Sequence, residues 1–392
     1  MAPDASQILM MMGDAPAAVP AGKSVVYATE GLELRVQDPA GRVARLCDYA
    51  AMPGHYARDI AWAAKGSGAV ADRYTLLSPN RMTVNVGDRG FYLPAQITLD
   101  LSLAASWDTT VGTDYRTAAN RAGKDFYVYA CNNAPALKLV ASANATYPSG
   151  YTADNSRKLG GFHCLCTAVG TISGHTLSSY VAGDILPASV WDLIHRPVSS
   201  PEGMVYVSGL GKWVDIYLAS VSNGALVSVK GGTIADGGSS PVFHYYKISQ
   251  WLGQIGKRLP TQHEFVALSL GSNQGTNISG SADPGTTGGH SDTGGRRMVS
   301  FAGCEDCCGA LYQWCGEAGG PYAAAVWVPA YDANDSGVAG NSYDVPNRGV
   351  VGGYWSAGDN CGSRCSLWTN GPLTPNTGYG ARGVAEPLAV GL

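Results

Sequence analysis

Charge is what this chain has least of. Of its 392 residues, 14% are Asp, Glu, Lys or Arg, against roughly 25% in an average soluble protein. With 26 basic and 30 acidic residues the formal net charge is −4. No basic face is available to neutralise phosphate, so nucleic acid is excluded as a partner. No apolar run reaches the roughly 18 residues of a membrane-spanning helix, so membrane insertion is not expected. The start, MAPDASQILMMMGDAP, has a short apolar core at Ile8–Met12 flanked by Asp4 and Asp14. A signal peptide needs a longer core and a basic flank, so synthesis in the cytoplasm without Sec export is expected. Phenylalanine is scarce, 6 residues against 21 tyrosines, as where aromatic rings meet water or partners as often as a core.

The 10 cysteines are too thinly spread for a disulfide scaffold. Cys304, Cys307, Cys308 and Cys315, and the pair Cys361 and Cys365, have spacings that permit thiolate ligation of zinc. Small buried thiols are the preferred reading. Two nucleotide-like stretches fail on inspection. Gly22-Lys23-Ser24 lacks the glycine a phosphate loop needs at Ala17, and no buried strand precedes Gly66–Ala71.

Glycine (52) and proline (21) are abundant instead, which predicts a turn-rich, mainly β protein of two or three domains. Residues 1–70 alternate as strands in Ser24–Thr29, Leu32–Val36 and Val43–Tyr49, a small β unit of the kind completed by intertwining with its own copies. Residues 71–186 read as a β-sandwich, with strands at Tyr74–Leu77, Met82–Val86, Phe91–Leu93, Ile97–Leu103, Phe126–Ala130, Leu137–Ala141 and Phe162–Val169. Asp100, Asp108, Asp114, Asp125 and His163 have no spacing that makes a site, and a solvated sandwich face is expected for them. Residues 187–200 read as a linker with a short helical piece.

The last unit, residues 201–392, is predicted to be α+β. It opens with the strand Glu202–Val207. Ser240-Pro241 has the form of a helix start, with proline where its missing N–H costs nothing, and Gly253 of a helix end. Thr261 and Glu264 form a capping box for a second helix. Gly271–Arg297 is a Gly/Ser/Thr/Asn loop too long to be idle, and is expected to border a binding face. Tyr331–Gly337 places oxygen ligands at Asp332, Asn334 and Ser336 as a calcium loop does, but Tyr343 stands where a bidentate Glu belongs. A structural calcium there is the one cofactor the sequence allows for; an Asx-rich turn is the plainer reading.

From Val350 to Leu392 there are four charged residues, Asp359, Arg364, Arg382 and Glu386. Gly, Trp and Arg alternate there with positions of no periodicity: Tyr354, Ser356, Gly358, Asn360, Leu367, Thr369, Thr374, Asn376 and Tyr379. An uncharged surface rich in Tyr, Asn, Ser and Thr has the chemistry of an adaptable paratope. Trp314, Trp355 and Trp368 are expected to form the core beneath it, and Arg364 and Arg382 to hold its loops through carbonyls or carboxylates. Alanine at Tyr354, Thr369 or Tyr379 is expected to remove binding and leave the melting temperature nearly unchanged.

The same residues carry a resemblance. Gly352-Gly353-x-Trp355, Gly362-Ser363-Arg364-x-x-Leu367-Trp368 and Gly378-x-Gly380-Ala381-Arg382-Gly383-Val384 resemble the variable region of diversity-generating-retroelement proteins over Gly352–Leu388. Glu202–Val207 and Arg258-Leu259-Pro260-Thr261-x-x-Glu264-Phe265 resemble the C-type-lectin fold of the formylglycine-generating-enzyme type. The resemblance implies a non-enzymatic phage tail or tail-fibre protein on the virion. It would be a homotrimer joined to phage tail components, with a variable region of about 350–388 that binds a host cell-surface protein receptor. A cellular display protein diversified in the same way is the alternative.

Catalysis of the formylglycine-generating type would need a cysteine pair where this sequence has Ala357 and Gly362. No G-x-S-x-G occurs, the histidines are scattered, and His263 reads as a surface or core-edge residue. The sugar-binding signatures of calcium-dependent lectins are not recognisable.

Overall fold

A computed structural model of the chain describes residues 69–78, 82–87, 89–93, 95–133, 136–321 and 340–388, together with the strands Met10–Met12, Val25–Ala28, Glu33–Gln37, Val43–Asp48, Ala63–Ala64 and Trp327–Pro329. The first four strands form one sheet in chain order. Met10–Met12 runs parallel to Val25–Ala28, and the remaining pairs are antiparallel.

The middle of the chain is built on strand Asp125–Asn133, flanked by Ala136–Ser142 and Ser156–His163, with Trp191–Asp192 at the edge. Its side chains alternate between two buried faces. Phe126, Val128 and Ala130 share a core with Leu76, Val84 and Leu99 from the small sheets laid over them and with Trp107. Tyr127, Tyr129 and Cys131 pack instead against Met204, Trp213 and Ala385 of the C-terminal unit. A strand covered on both sides reads as a continuous apolar run, which is why this one stands out in the sequence. The sheet is a wall shared by two units.

Two sequence expectations shift here. The strand placed at Phe162–Val169 is found at Ser156–His163. Gly160 and Gly161 have little strand propensity, yet Trp191 crosses so close that a Cβ on Gly160 would lie 2.2 Å from its carbonyl oxygen, so pairing overrides propensity. Residues 187–200 are not a free linker, because Trp191–Asp192 extends the sheet.

His163 and Asp125 also differ from expectation, for His163 is buried at 1% exposure. Its Nδ1 lies 2.9 Å from Asp125 Oδ1 and its Nε2 lies 3.0 Å from the Tyr217 hydroxyl. With Nδ1–H donating to the carboxylate, Nε2 is left to accept from Tyr217. Asp125 Oδ1 also accepts from the Gly203 amide at 3.0 Å. The pair therefore pins the shared wall to the C-terminal unit.

That unit has one sheet ordered Met204–Val207, Lys212–Asp215, Val384–Ala385, and a second ordered Gly362–Asn370, Pro346–Gly352, Tyr312–Pro321, Tyr379–Gly380. Helices Tyr245–Gln254 and Gln262–Leu268 bury Ile248, Leu252, Phe265 and Leu268. The capping box is present: Glu264 N donates to Thr261 Oγ1 at 3.1 Å and Thr261 N to Glu264 Oε2 at 2.8 Å.

The other helix begins at Tyr245, four residues beyond Pro241, with His244 as its cap. Asp236 captures the intervening segment. Its carbonyl accepts from Phe243 N and Ser239 Oγ, and its carboxylate from Gly238 N at 2.7 Å. Such a local knot competes with the helix for the same backbone groups. His263 is exposed on the second helix. Among the described residues no helix is long and apolar enough to cross a membrane.

His175 gives a pH dependence. Its Nε2 faces the Val299 carbonyl at 3.1 Å while Nδ1 accepts from Leu177 N at 3.0 Å, an arrangement only the neutral ring satisfies. Burial holds its pKa below the ordinary imidazole value, against the bond to Val299. A depressed folded pKa contributes stability above the unfolded pKa, about 6.5, that is lost as pH falls through the folded value. The urea midpoint is therefore expected to fall between pH 7 and pH 5. A His175→Gln variant should show a shallower fall; an unchanged slope would contradict this account.

Candidate functional site

The site is built around a buried arginine. Arg382 is wholly buried, and its guanidinium reaches Gln313 Oε1 at 2.9 Å and the carbonyls of Asp215 at 2.7 Å, Ile216 at 3.0 Å and Glu305 at 2.5 Å. Gln313 completes its own amide by donating to the Asp306 and Cys307 carbonyls. One side chain thus ties the end of the chain's last segment to two distant stretches of backbone and to the Gln313 side chain. Burial works against the charge, but the carboxylates of Asp215 and Asp306 nearby and the ring of accepting oxygens favour it, and the guanidinium is held in its charged form.

The other expected scaffold residues divide. Trp314 is buried at 1% exposure. Trp355 and Trp368 are only half-buried, each packing its ring on the edge of a core cluster. Arg364 is exposed, so the loop-holding task expected of two arginines is seen in Arg382. Gly362 and Ser363 are buried at the start of Gly362–Asn370, whereas Arg364 is exposed.

Around this frame lie the nine aperiodic positions. Ser356, Asn360, Thr369 and Asn376 are exposed; Tyr354, Gly358, Leu367, Thr374 and Tyr379 are partly covered. Gly352 and Gly353 launch the first loop at φ +93° and +85°, a region that side chains with a Cβ resist. The two tyrosines are shared between face and core. Tyr379 meets Trp314 edge-on at 5.2 Å, and its hydroxyl donates to Asn370 Oδ1 at 2.6 Å. Tyr354 stacks on Tyr312 at 5.3 Å and 20°. The expectation that alanine leaves the melting temperature unchanged is therefore kept for Thr369, which is exposed, and withdrawn for the two partly covered tyrosines.

Two supports were not legible in the sequence. Tyr312 lies under both tyrosines, and its only sequence signal was its place beside Trp314. The loop at Asp236–Ser239 abuts the segment carrying Thr374 and Asn376, with Gly237 N donating to Asn376 O at 3.1 Å. The run Asp236-Gly237-Gly238-Ser239 gave no hint of it.

The long loop Gly271–Arg297 does border the site. Gln274 brackets Ser363, accepting from its amide at 3.0 Å and donating to its hydroxyl at 2.7 Å. Gly275 N donates to Cys361 O at 2.7 Å, and Asn277 Nδ2 donates to the Trp355 carbonyl.

Cys304, Cys307, Cys308 and Cys315 are fully buried. Burial pushes the thiols of Cys308 and Cys361 up to about 12 and that of Cys315 up to about 11, which leaves them protonated and poor nucleophiles. Among the described residues no group of three or more His, Cys, Asp or Glu side chains is placed to hold a metal ion. The calcium loop expected at Asp332, Asn334 and Ser336 lies outside the described residues.

Comparison with known proteins places this arrangement. A family model described as the Mtd second domain matches residues 82–192, the stretch that carries the shared wall. A tail fiber receptor-binding protein of Bordetella phage BPP-1 is 32% identical over 298 residues, covering 71% of this chain and 75% of that protein. Solved structures of major tropism determinant variants are similar over nearly the whole length. The U1 variant matches with TM-score 0.68 and 26% identity, covering 94% of this chain and 95% of its own. The P3c variant matches with TM-score 0.68 and 26% identity, covering 96% and 99%.

Proposed function

This chain belongs to the major tropism determinant family of phage tail-fibre receptor-binding proteins, and on that premise we propose that its C-terminal lectin-like unit binds a protein on the host cell surface through the aperiodic positions between Tyr354 and Tyr379. The chain acts as a homotrimer on the phage tail and without catalysis. Several weak faces on one particle then bind far more tightly than one. Retroelement diversification of the same positions follows changes in the host.

What carries this reading is the separation of frame from face. Arg382, Gln313 and Trp314 are buried, whereas Ser356, Asn360, Thr369 and Asn376 stand open and none bears a charge. A buried frame lets open side chains change without loss of the fold, because exposed substitutions seldom move stability by more than about 0.5 kcal/mol. The protonated, buried Cys361 and the residues Ala357 and Gly362 count against an oxidase of the formylglycine-generating type.

The test is adsorption of labelled full-length protein to intact cells of a strain that binds the unsubstituted chain. Thr369→Arg is expected to weaken adsorption about tenfold or more with the unfolding free energy unchanged. Tyr379→Ala should weaken adsorption and also cost about 1–2 kcal/mol of stability, through its lost ring contact and hydrogen bond. Full adsorption by Thr369→Arg would remove this face from the proposal.

A further inference from the structure

One aromatic residue outside the variable segment stands at the centre of the face. Tyr312 opens strand Tyr312–Pro321 and runs in parallel register with Tyr379–Gly380, its amide donating to the Gly378 carbonyl at 2.9 Å. Alternation along the strand sends Gln313 inward to Arg382 and leaves Tyr312 on the side of the two variable-segment tyrosines. Its ring is stacked on Tyr354, 5.3 Å between centroids and 20° from parallel. It meets Tyr379 edge-on at 6.0 Å and 80°. The thiol of Cys365, on strand Gly362–Asn370 beyond Pro346–Gly352 in the same sheet, lies beside its hydroxyl. Three segments of the face thus converge on one half-buried side chain.

We propose that Tyr312 is a fixed specificity-determining residue of the receptor face: its ring is the platform on which whatever occupies positions 354 and 379 is placed. This rests on the receptor-binding reading and deepens it. Tyr354, Tyr379 and Trp355 gather at the Tyr312 end as an uncharged aromatic patch, Trp355 lying 5.2 Å from Tyr354. Ser356, Asn360, Thr369 and Asn376 offer only hydroxyl and amide groups. A pre-positioned aromatic cluster rimmed by small polar groups is the form a binding hot spot takes. The partner it fits presents an apolar or aromatic side chain of a folded protein, since stacked phenol rings lose little rotamer freedom on contact.

The platform role is read by coupling rather than by loss alone. In the whole-cell adsorption assay, Tyr312→Leu and Tyr354→Ser are each expected to weaken binding about tenfold. The double variant should lose scarcely more than either single one, because Tyr354 contributes only when its support is present. Tyr312→Leu combined with Thr369→Ala should multiply the two single losses. Tyr312→Phe, which keeps the ring, should stay within about threefold of the unsubstituted chain. If Tyr312→Leu does not fold, Tyr312→His replaces it, and independent losses in its cycle with Tyr354→Ser would overturn the proposal. Adsorption by Tyr312→Leu equal to that of the unsubstituted protein, or multiplied losses with Tyr354→Ser, would overturn it and leave the receptor reading standing. An unsubstituted chain that adsorbs to no bacterial strain would overturn both.

Discussion

Replacing Arg382 with methionine is expected to lower the unfolding free energy of the C-terminal unit by about 4 kcal/mol or more. Methionine fills much of the space but donates nothing. Gln313 Oε1 and the carbonyls of Asp215, Ile216 and Glu305 would be left buried without their donors, at about 1–3 kcal/mol for each that water does not reach. The buried Asp215 and Asp306 would lose the positive charge beside them. The same change at Arg364, which is exposed, should stay within about 0.5 kcal/mol. Urea unfolding followed by near-ultraviolet circular dichroism separates the two, and equal midpoints would mean that Arg382 is not the hub described above.

Gly237→Ala is expected to weaken host-cell adsorption about thirtyfold, although residue 237 is remote in sequence from the variable segment. A Cβ at this position would lie 1.9 Å from Asn376 N and 2.6 Å from Pro375 C. Both are backbone atoms, so the clash cannot be relieved by rotating a side chain. The segment carrying Thr374 and Asn376 must move instead, at a stability cost of about 1–3 kcal/mol. Gly253→Ala is the control. It lies in helix Tyr245–Gln254 with nothing within 4 Å of its Cβ, and alanine there should stabilise by up to about 1 kcal/mol without touching adsorption. Unaltered adsorption by Gly237→Ala would show that the loop at Asp236–Ser239 does not set the face.

Both expectations bear on how the face is diversified. Side chains at its open positions answer only to the partner, whereas their placement answers to residues in three other parts of the chain. On the proposed reading a change at Thr369 alters what is recognised, whereas one at Gly237 moves the segment of Thr374 and Asn376 and one at Tyr312 moves positions 354 and 379.

The sequence by itself determined those features in which the interacting atoms are a few residues apart or the pattern repeats. The Thr261–Glu264 capping box spans one helical turn, and the strand Asp125–Asn133 carries an unbroken apolar run at Phe126–Cys131. The Gly, Trp and Arg frame of the last segment was legible as a resemblance. Only the tertiary structure decided which of two arginines is buried. It also decided that His163 and Asp125 join two units, that Asp236 delays a helix to Tyr245, and that Tyr312 and Gly237 pack against the positions proposed as the binding face. Residue type states what a side chain is able to bond, but burial and partner are set by packing between segments far apart in the chain, and neither propensity nor periodicity encodes those contacts.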